Sequence, residues 1–154
     1  MLKEIKITGV KKAGGRFAIV ASKYNARYVD AMLRAATAVL NRAKADEIQV
    51  VRVPGAFEVP LIAAKLAGAS PAPSAVICLG VILRGATTHA QSISDVVSYA
   101  LGTIALQTQV PVIHEVLLLE NEQQAKERCL SKTHNRGAEA ALTALEMSAL
   151  LARL

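Results

Sequence analysis

The sequence predicts an α/β fold, a three-layer αβα sandwich with a four-stranded parallel sheet between two helical layers. Two observations carry this. Four short runs are almost wholly apolar, as strands covered on both faces must be, and stretches with helical spacing separate them. Right-handed crossovers between parallel strands then put helices on both faces. A chain of 154 residues suits one domain, 1–154, and its 53% hydrophobic content excludes a disordered chain.

Arg16–Ser22 is an apolar run bounded by Gly14-Gly15 and a polar turn, which suits a buried strand. Ala26–Ala43 carries Val29, Leu33, Ala36 and Leu40 at helical spacing. Ile48–Val53 is a β-branched run ended by Pro54-Gly55. Phe57–Leu66 reads as a helix with Pro60 early, where its missing N–H costs least. Ser74–Leu83, the most apolar run, closes at Arg84-Gly85, and Thr87 and Thr88 offer capping hydroxyls to a helix through Leu106. Val110–Leu119 is the fourth strand. Asn121 opens a short helix with Glu122 and Lys126 spaced as an i,i+4 pair, and Ala138–Leu151 makes a last Ala/Leu helix. Residues 1–12 form an arm whose Leu2–Val10 stretch has no helix to cover it. It is expected to pair with a sheet edge in a neighbouring subunit.

The net charge of +6 comes from scattered Lys and Arg, and aromatic residues make up only 3%. That pattern offers no stacking platform for nucleic acid and is compatible with anionic small substrates. No apolar run reaches the roughly 18–20 residues that span a bilayer, and the first residues lack the apolar stretch of a signal peptide. Cys78 and Cys129 stand far apart, and the three histidines show no ligand spacing, so no metal site is expected. The chain reads as soluble and cytoplasmic.

Parallel sheets bind ligands beyond the carboxyl ends of their strands. That rule selects Ser22–Asn25, Pro54–Glu58, Arg84–His89 and the surroundings of His114. In Arg84-Gly-Ala-Thr-Thr-His89 small residues open a helix, so exposed amides and the helix dipole make an anion site. His89 lies beside it, and an imidazole can pass protons at neutral pH. A plain capped helix with a surface His accounts for the same spacing. Glu58 suits ligand hydroxyls or the dipole of the following helix, and Tyr24 suits stacking on a heterocycle or simple packing. Arg128 and Arg136 are either phosphate-binding guanidiniums or solvated surface groups. His114 and Glu115 interrupt an apolar strand, facing a ligand, a subunit boundary or one another.

Val53-Pro-Gly-Ala-Phe-Glu-Val-Pro60, Gly80-Val-Ile-Leu-Arg-Gly-Ala-Thr-Thr-His89, Glu122-Gln-Gln-Ala-Lys-Glu-Arg128 and Asn135-Arg-Gly137 occur in this order. The series resembles the 6,7-dimethyl-8-ribityllumazine synthase family from about Arg16 to Leu150. The resemblance implies a flavodoxin-like sandwich in homopentamers or sixty-subunit shells, with active sites between subunits, no metal or organic cofactor, and riboflavin synthase as a further partner. It implies condensation of 5-amino-6-(D-ribitylamino)uracil with 3,4-dihydroxy-2-butanone 4-phosphate. By the same resemblance Tyr24, with Asn25 beside it, would stack on the pyrimidine, and Ala56, Phe57 and Glu58 would line the ribityl site. Val81, Ile82 and Leu83 would meet the pyrimidine through backbone groups. Ala86 and Thr87 would cradle the phosphate with Arg128, while His89 moves protons. The chain departs from the family where His114-Glu115 replaces an aromatic residue followed by Gly, where Ala90 follows the histidine, and where Arg136 replaces Lys.

Overall fold

A computed structural model describes residues 12–154. The arm expected over residues 1–12 lies outside the described residues but for Lys12. The chain runs β1 (Arg16–Ser22), α1 (Ala26–Arg42), β2 (Glu47–Val53), a 3₁₀ turn (Ala56–Glu58), α2 (Val59–Ala67), β3 (Ala75–Leu83), α3 (His89–Thr108), β4 (Val112–Leu119), α4 (Glu122–Cys129) and α5 (Arg136–Ala152). The four strands are parallel in the order β2-β1-β3-β4. This is the αβα sandwich that the apolar runs predict.

Strand alternation distributes the core between two layers. Phe17, Ile19, Ala21, Ile77, Leu79 and Ile113 face α1 and α5. Ala18, Val20, Val76, Cys78 and Val116 face α2 and α3. Burying a side chain such as Ile19 or Leu79 completely contributes about 2–3 kcal/mol each. The strand β2 is less apolar than a doubly covered strand requires, with Glu47, Gln49 and Val50 exposed, because it forms one edge of the sheet. Both cysteines are free and buried, Cys78 in the α2/α3 layer and Cys129 in the α1/α5 layer; burial pushes each thiol up to about 12.

Several local details differ from the sequence expectations. The helix expected over Phe57–Leu66 begins as a 3₁₀ turn, because the Gly55 amide donates to Glu58 Oε2 at 2.9 Å and tightens the chain before α2. Pro60 occupies the first turn of α2, as expected. Thr88 is the N-cap of α3, yet its hydroxyl makes no capping bond; Thr87 Oγ1 instead accepts from the His89 amide at 3.3 Å. Asn121 caps α4 by accepting from the Gln124 amide at 2.9 Å. No ion pair closes between Glu122 and Lys126; Gln123 Nε2 donates to Glu127 at 3.0 Å at the same spacing. Helix α5 starts at Arg136 rather than Ala138, since Asn135 Oδ1 accepts from the amides of Gly137 (2.8 Å) and Ala138 (3.4 Å).

The Asn135-Arg136-Gly137 segment locks α5 onto α1. Buried Asn135 also donates to the Cys129 carbonyl at 2.6 Å and the Ala31 carbonyl at 3.5 Å. Gly137 lies against the backbone of Met32, where a Cβ would collide with the Met32 carbonyl. Two backbones cannot separate without opening the layer above, so Gly137→Ala is expected to destabilise the fold by on the order of 3 kcal/mol. Gly102→Ala, whose added Cβ meets nothing within 4 Å, is expected to be neutral or stabilising by up to about 1 kcal/mol. Thermal unfolding of both variants checks the contrast, and equal midpoints would refute it.

Candidate active site

The chain leaves β1 for β2 on one side and returns to β3 on the other, so the carboxyl ends of β1 and β3 diverge at a switch point. A groove of about 890 Å³ opens there. Its walls are the loop after β1 (Tyr24, Asn25), the turn after β2 (Gly55–Glu58), the end of β3 (Val81–Leu83) with Gly85 and Thr87, and one face of α3.

The loop after β1 is held at both sides. The amides of Lys23 and Tyr24 donate to the carbonyls of Val53 (2.7 Å) and Pro54 (3.0 Å) at the end of β2. Asn25 takes the left-handed conformation at φ 57 and sends Nδ2 to the Val81 carbonyl at 2.7 Å. Asparagine tolerates this region better than most residues, so one side chain both turns the chain and ties β1 to β3. The Tyr24 ring is left 73% exposed and Phe57 59% exposed, both on the groove. Large apolar rings are left in water here and at few other places in the sequence, which fits a ligand surface.

Beyond Leu79, β3 runs past its last pairing with β1, so Gly80–Leu83 offers an open edge to the groove. Alternation directs the backbone groups of Val81 and Leu83 to this edge and those of Ile82 to β4. The Val81 bond to Asn25, and the Arg84 amide bonded to the Leu119 carbonyl at 2.8 Å, agree with that parity. The loop that follows is exposed, and the amides of Gly85, Ala86, Thr87 and Thr88 find no acceptor among the described residues. With the start of α3 behind them they form an anion cradle, and His89 is the first helical residue. Arg84 is not free to serve it: Nε pairs with Glu120 at 2.9 Å and Nη2 donates to Gln91 at 2.8 Å.

Of the residues singled out from sequence, Tyr24, Asn25, Ala56, Phe57, Glu58, Val81, Ile82, Leu83, Thr87 and His89 line one groove. Ala86 belongs to the same exposed loop without lining it. Glu58 gives Oε2 to Gly55 rather than to the helix dipole alone. Arg128, His114 and Arg136 do not line the groove. Ser92, Ile93 and Val96 do, and sequence reasoning missed them because their helical spacing from His89 looks like an ordinary packing stripe.

The adjacent residues His114 and Glu115 go to opposite faces of β4. His114 Nδ1 accepts from the Val116 amide at 3.2 Å, which assigns the proton to Nε2, where it is donated to Ser98 Oγ at 2.7 Å. Partial burial lowers its pKa, so it is neutral at pH 7. Glu115, only 6% exposed, pairs with Arg136 at 3.2 Å, and Arg136 also pairs with Glu139 at 2.8 Å. Arg136 is therefore held by two carboxylates, through Nε and Nη1, rather than standing as a solvated guanidinium. Burial pushes the Glu115 carboxyl up to about 7, opposed by Arg136, reinforced by Glu139 and opposed again by Arg128. A carboxyl raised in the folded state binds a proton that the unfolded chain has released. Its contribution to stability is thus full below about pH 4.5 and is lost as pH rises to about 7.

Sequence comparison identifies the family. The pattern of the family described as 6,7-dimethyl-8-ribityllumazine synthase matches residues 14–152. The chain belongs to the 6,7-dimethyl-8-ribityllumazine synthase family. It is similar to the lumazine synthase of Xylella fastidiosa, 42% identical over 147 residues that cover 94% of this chain and 95% of that protein. It is also similar to the lumazine synthase of Desulfotalea psychrophila, 44% identical over 144 residues that cover 92% of each. The sandwich is consistent with the flavodoxin-like lumazine synthase fold. No helix among the described residues is long and apolar enough to cross a membrane.

Asn25 is the joint between the two strands that frame the groove. Asn25→Ala is expected to lower stability by about 1–2 kcal/mol, through loss of the Val81 bond and strain at positive φ. Asn25→Gly is expected to recover only the backbone part. Denaturant unfolding of the three proteins tests this order; an Asn25→Ala variant as stable as wild type would remove the joint.

Proposed function

We propose that the chain condenses 5-amino-6-(D-ribitylamino)uracil with 3,4-dihydroxy-2-butanone 4-phosphate to 6,7-dimethyl-8-ribityllumazine, releasing phosphate and water, the penultimate step of riboflavin biosynthesis. The observation that carries this reading is the single groove at the switch point. Along it lie an exposed ring, an open strand edge, a turn carboxylate, an anion cradle and an imidazole. Each corresponds to one part of the two substrates.

The Tyr24 ring stacks on the pyrimidine, whose polar edge meets the free backbone groups of Val81 and Leu83, while Ala56, Phe57 and Glu58 take the ribityl chain. The Ala86 and Thr87 amides hold the phosphate. The uracil 5-amine adds to the ketone and water leaves, giving an imine. A proton then moves, with His89 as the shuttle, and the C–O bond to phosphate breaks with both electrons going to the departing anion. Loss of the C3 proton and of phosphate leaves an enol, which takes up a proton on its terminal carbon to become a methyl ketone. The ribitylamino nitrogen attacks that new carbonyl, and a second water leaves as the ring closes. The reactants are intrinsically reactive, so holding them together contributes much of the acceleration.

Arg128 and His114 stand on α4 and β4, away from their own groove. We assign them to the groove of a neighbouring subunit, Arg128 on the phosphate and His114 against the pyrimidine. The working unit is then a homopentamer, alone or within a sixty-subunit shell, acting in the cytoplasm, with riboflavin synthase as a further partner. Static light scattering separates the two assemblies.

Lumazine absorbance, followed with both substrates, tests the reaction. His89→Ala is expected to slow turnover without abolishing it, and Arg128→Ala to raise KM for the phosphate substrate. Oligomers reassembled from equal amounts of the two variants regain fully wild-type sites in about a quarter of positions, because His89 and Arg128 come from different subunits. Absence of any rate above background in the folded wild-type oligomer would overturn the reaction. Absence of recovery on mixing would overturn the shared site.

A further inference from the structure

We propose that Glu115 is a positioning residue for phosphate capture, holding Arg136 against β4 and setting how much positive charge Arg128 and Arg136 present to the anion. This rests on the reading of Arg128 as the phosphate-binding guanidinium. The geometry is specific. Glu115 is a buried carboxylate in the middle of a strand whose other inward residues, Ile113, Leu117 and Leu119, are apolar. Its carboxylate meets Arg136 Nε at 3.2 Å, and Glu139 fixes the other arm of that guanidinium. Arg136 is thereby withheld from direct anion contact, leaving Arg128 as the free cation of the pair.

The groups facing Glu115 are few. On α4 they are Arg128 and Cys129, and on α5 they are Arg136 and Glu139. The register partner on β3 is Leu79, which brings no charge, and His114 faces the opposite layer toward Ser98 on α3. Glu139 offsets one of the two arginines and Glu115, when ionised, supplies the offset to the other, while the Cys129 thiol stays neutral. Because burial places the Glu115 carboxyl near neutrality, that offset disappears on the acid side and is complete on the alkaline side. Below about pH 7 the cluster carries more net positive charge and attracts an anion more strongly. The resting state of the site is thus graded by one buried proton that takes no part in the condensation.

Sulfate is the probe, since it stays a dianion throughout and its own titration cannot mimic the effect. Its competition with the four-carbon phosphate is measured on the intact oligomer from about pH 6 to about pH 8.5. Wild-type inhibition is expected to weaken about threefold to tenfold as pH rises through neutrality. Glu115→Gln is expected to keep the low-pH strength at every pH, with KM for the phosphate substrate lowered at the alkaline end and kcat moved much less. Arg136→Gln, which removes the cation favouring ionised Glu115, is expected to displace the break to higher pH. Arg128→Ala is expected to bind sulfate weakly throughout. Superimposable profiles for wild type and Glu115→Gln overturn the inference while Arg128→Ala still reports on the phosphate site. Full sulfate inhibition in Arg128→Ala overturns the phosphate reading and the inference with it. Should Glu115→Gln fail to fold, an unmoved break in Arg136→Gln overturns the inference on its own.

Discussion

With β1 lying between β2 and β3, the chain must reverse its direction of travel across the sheet after β2, and nearly every feature of the site follows from that reversal. Connections on the two sides of β1 lead away from each other, so no loop closes over its carboxyl end. The strand β3 then outruns β1 and keeps part of its edge unpaired. A parallel sheet normally satisfies such an edge with another strand. Here one polar side chain, Asn25, takes a single carbonyl, and the remaining donors and acceptors of that edge open onto the groove. The fold supplies the vacancy, and a handful of side chains give it chemistry.

A second constraint operates on the opposite side of the sheet. Gly137 lets α5 approach the α1 backbone, and that approach sets where Arg136 emerges. From there the guanidinium reaches β4 and meets Glu115. A segment that looks like a ligand motif in the sequence is thus largely architectural: a cap, an ion pair and a backbone contact in consecutive residues. The electrostatic character of the neighbouring Arg128 follows from packing several residues away.

The periodic parts of this fold are easy to read in the sequence. Apolar runs locate β1, β3 and β4 to within two residues, because strands covered on both faces tolerate little else. The edge strand β2 is located to within one residue as well, although Gln49 and Arg52, which an edge accepts, interrupt its apolar run. The helix starts are less legible: Thr87 and Thr88 both read as caps and only their φ/ψ values and bonds decide which oxygen is used, while the cap that Asn135 supplies to α5 is not read from the sequence at all. The groove loops follow from the strand-end rule alone. The α3 stripe of Ser92, Ile93 and Val96 does not, because a residue lining a groove and a residue lining a core repeat at the same interval. Nor could spacing show that His114 and Glu115 part company. That depends on which face of β4 meets α3 and which meets α5.

The two cysteines divide the molecule in a way that has an experimental use beyond catalysis. Cys78 belongs to the layer under α2 and α3, and Cys129 to the layer under α1 and α5. Both thiols are held protonated by burial, so neither reacts while its own layer stays closed. Each half of the sandwich therefore carries a native chemical clock. Differential alkylation, read by mass, would time the opening of one helical layer against the other without introducing a single label.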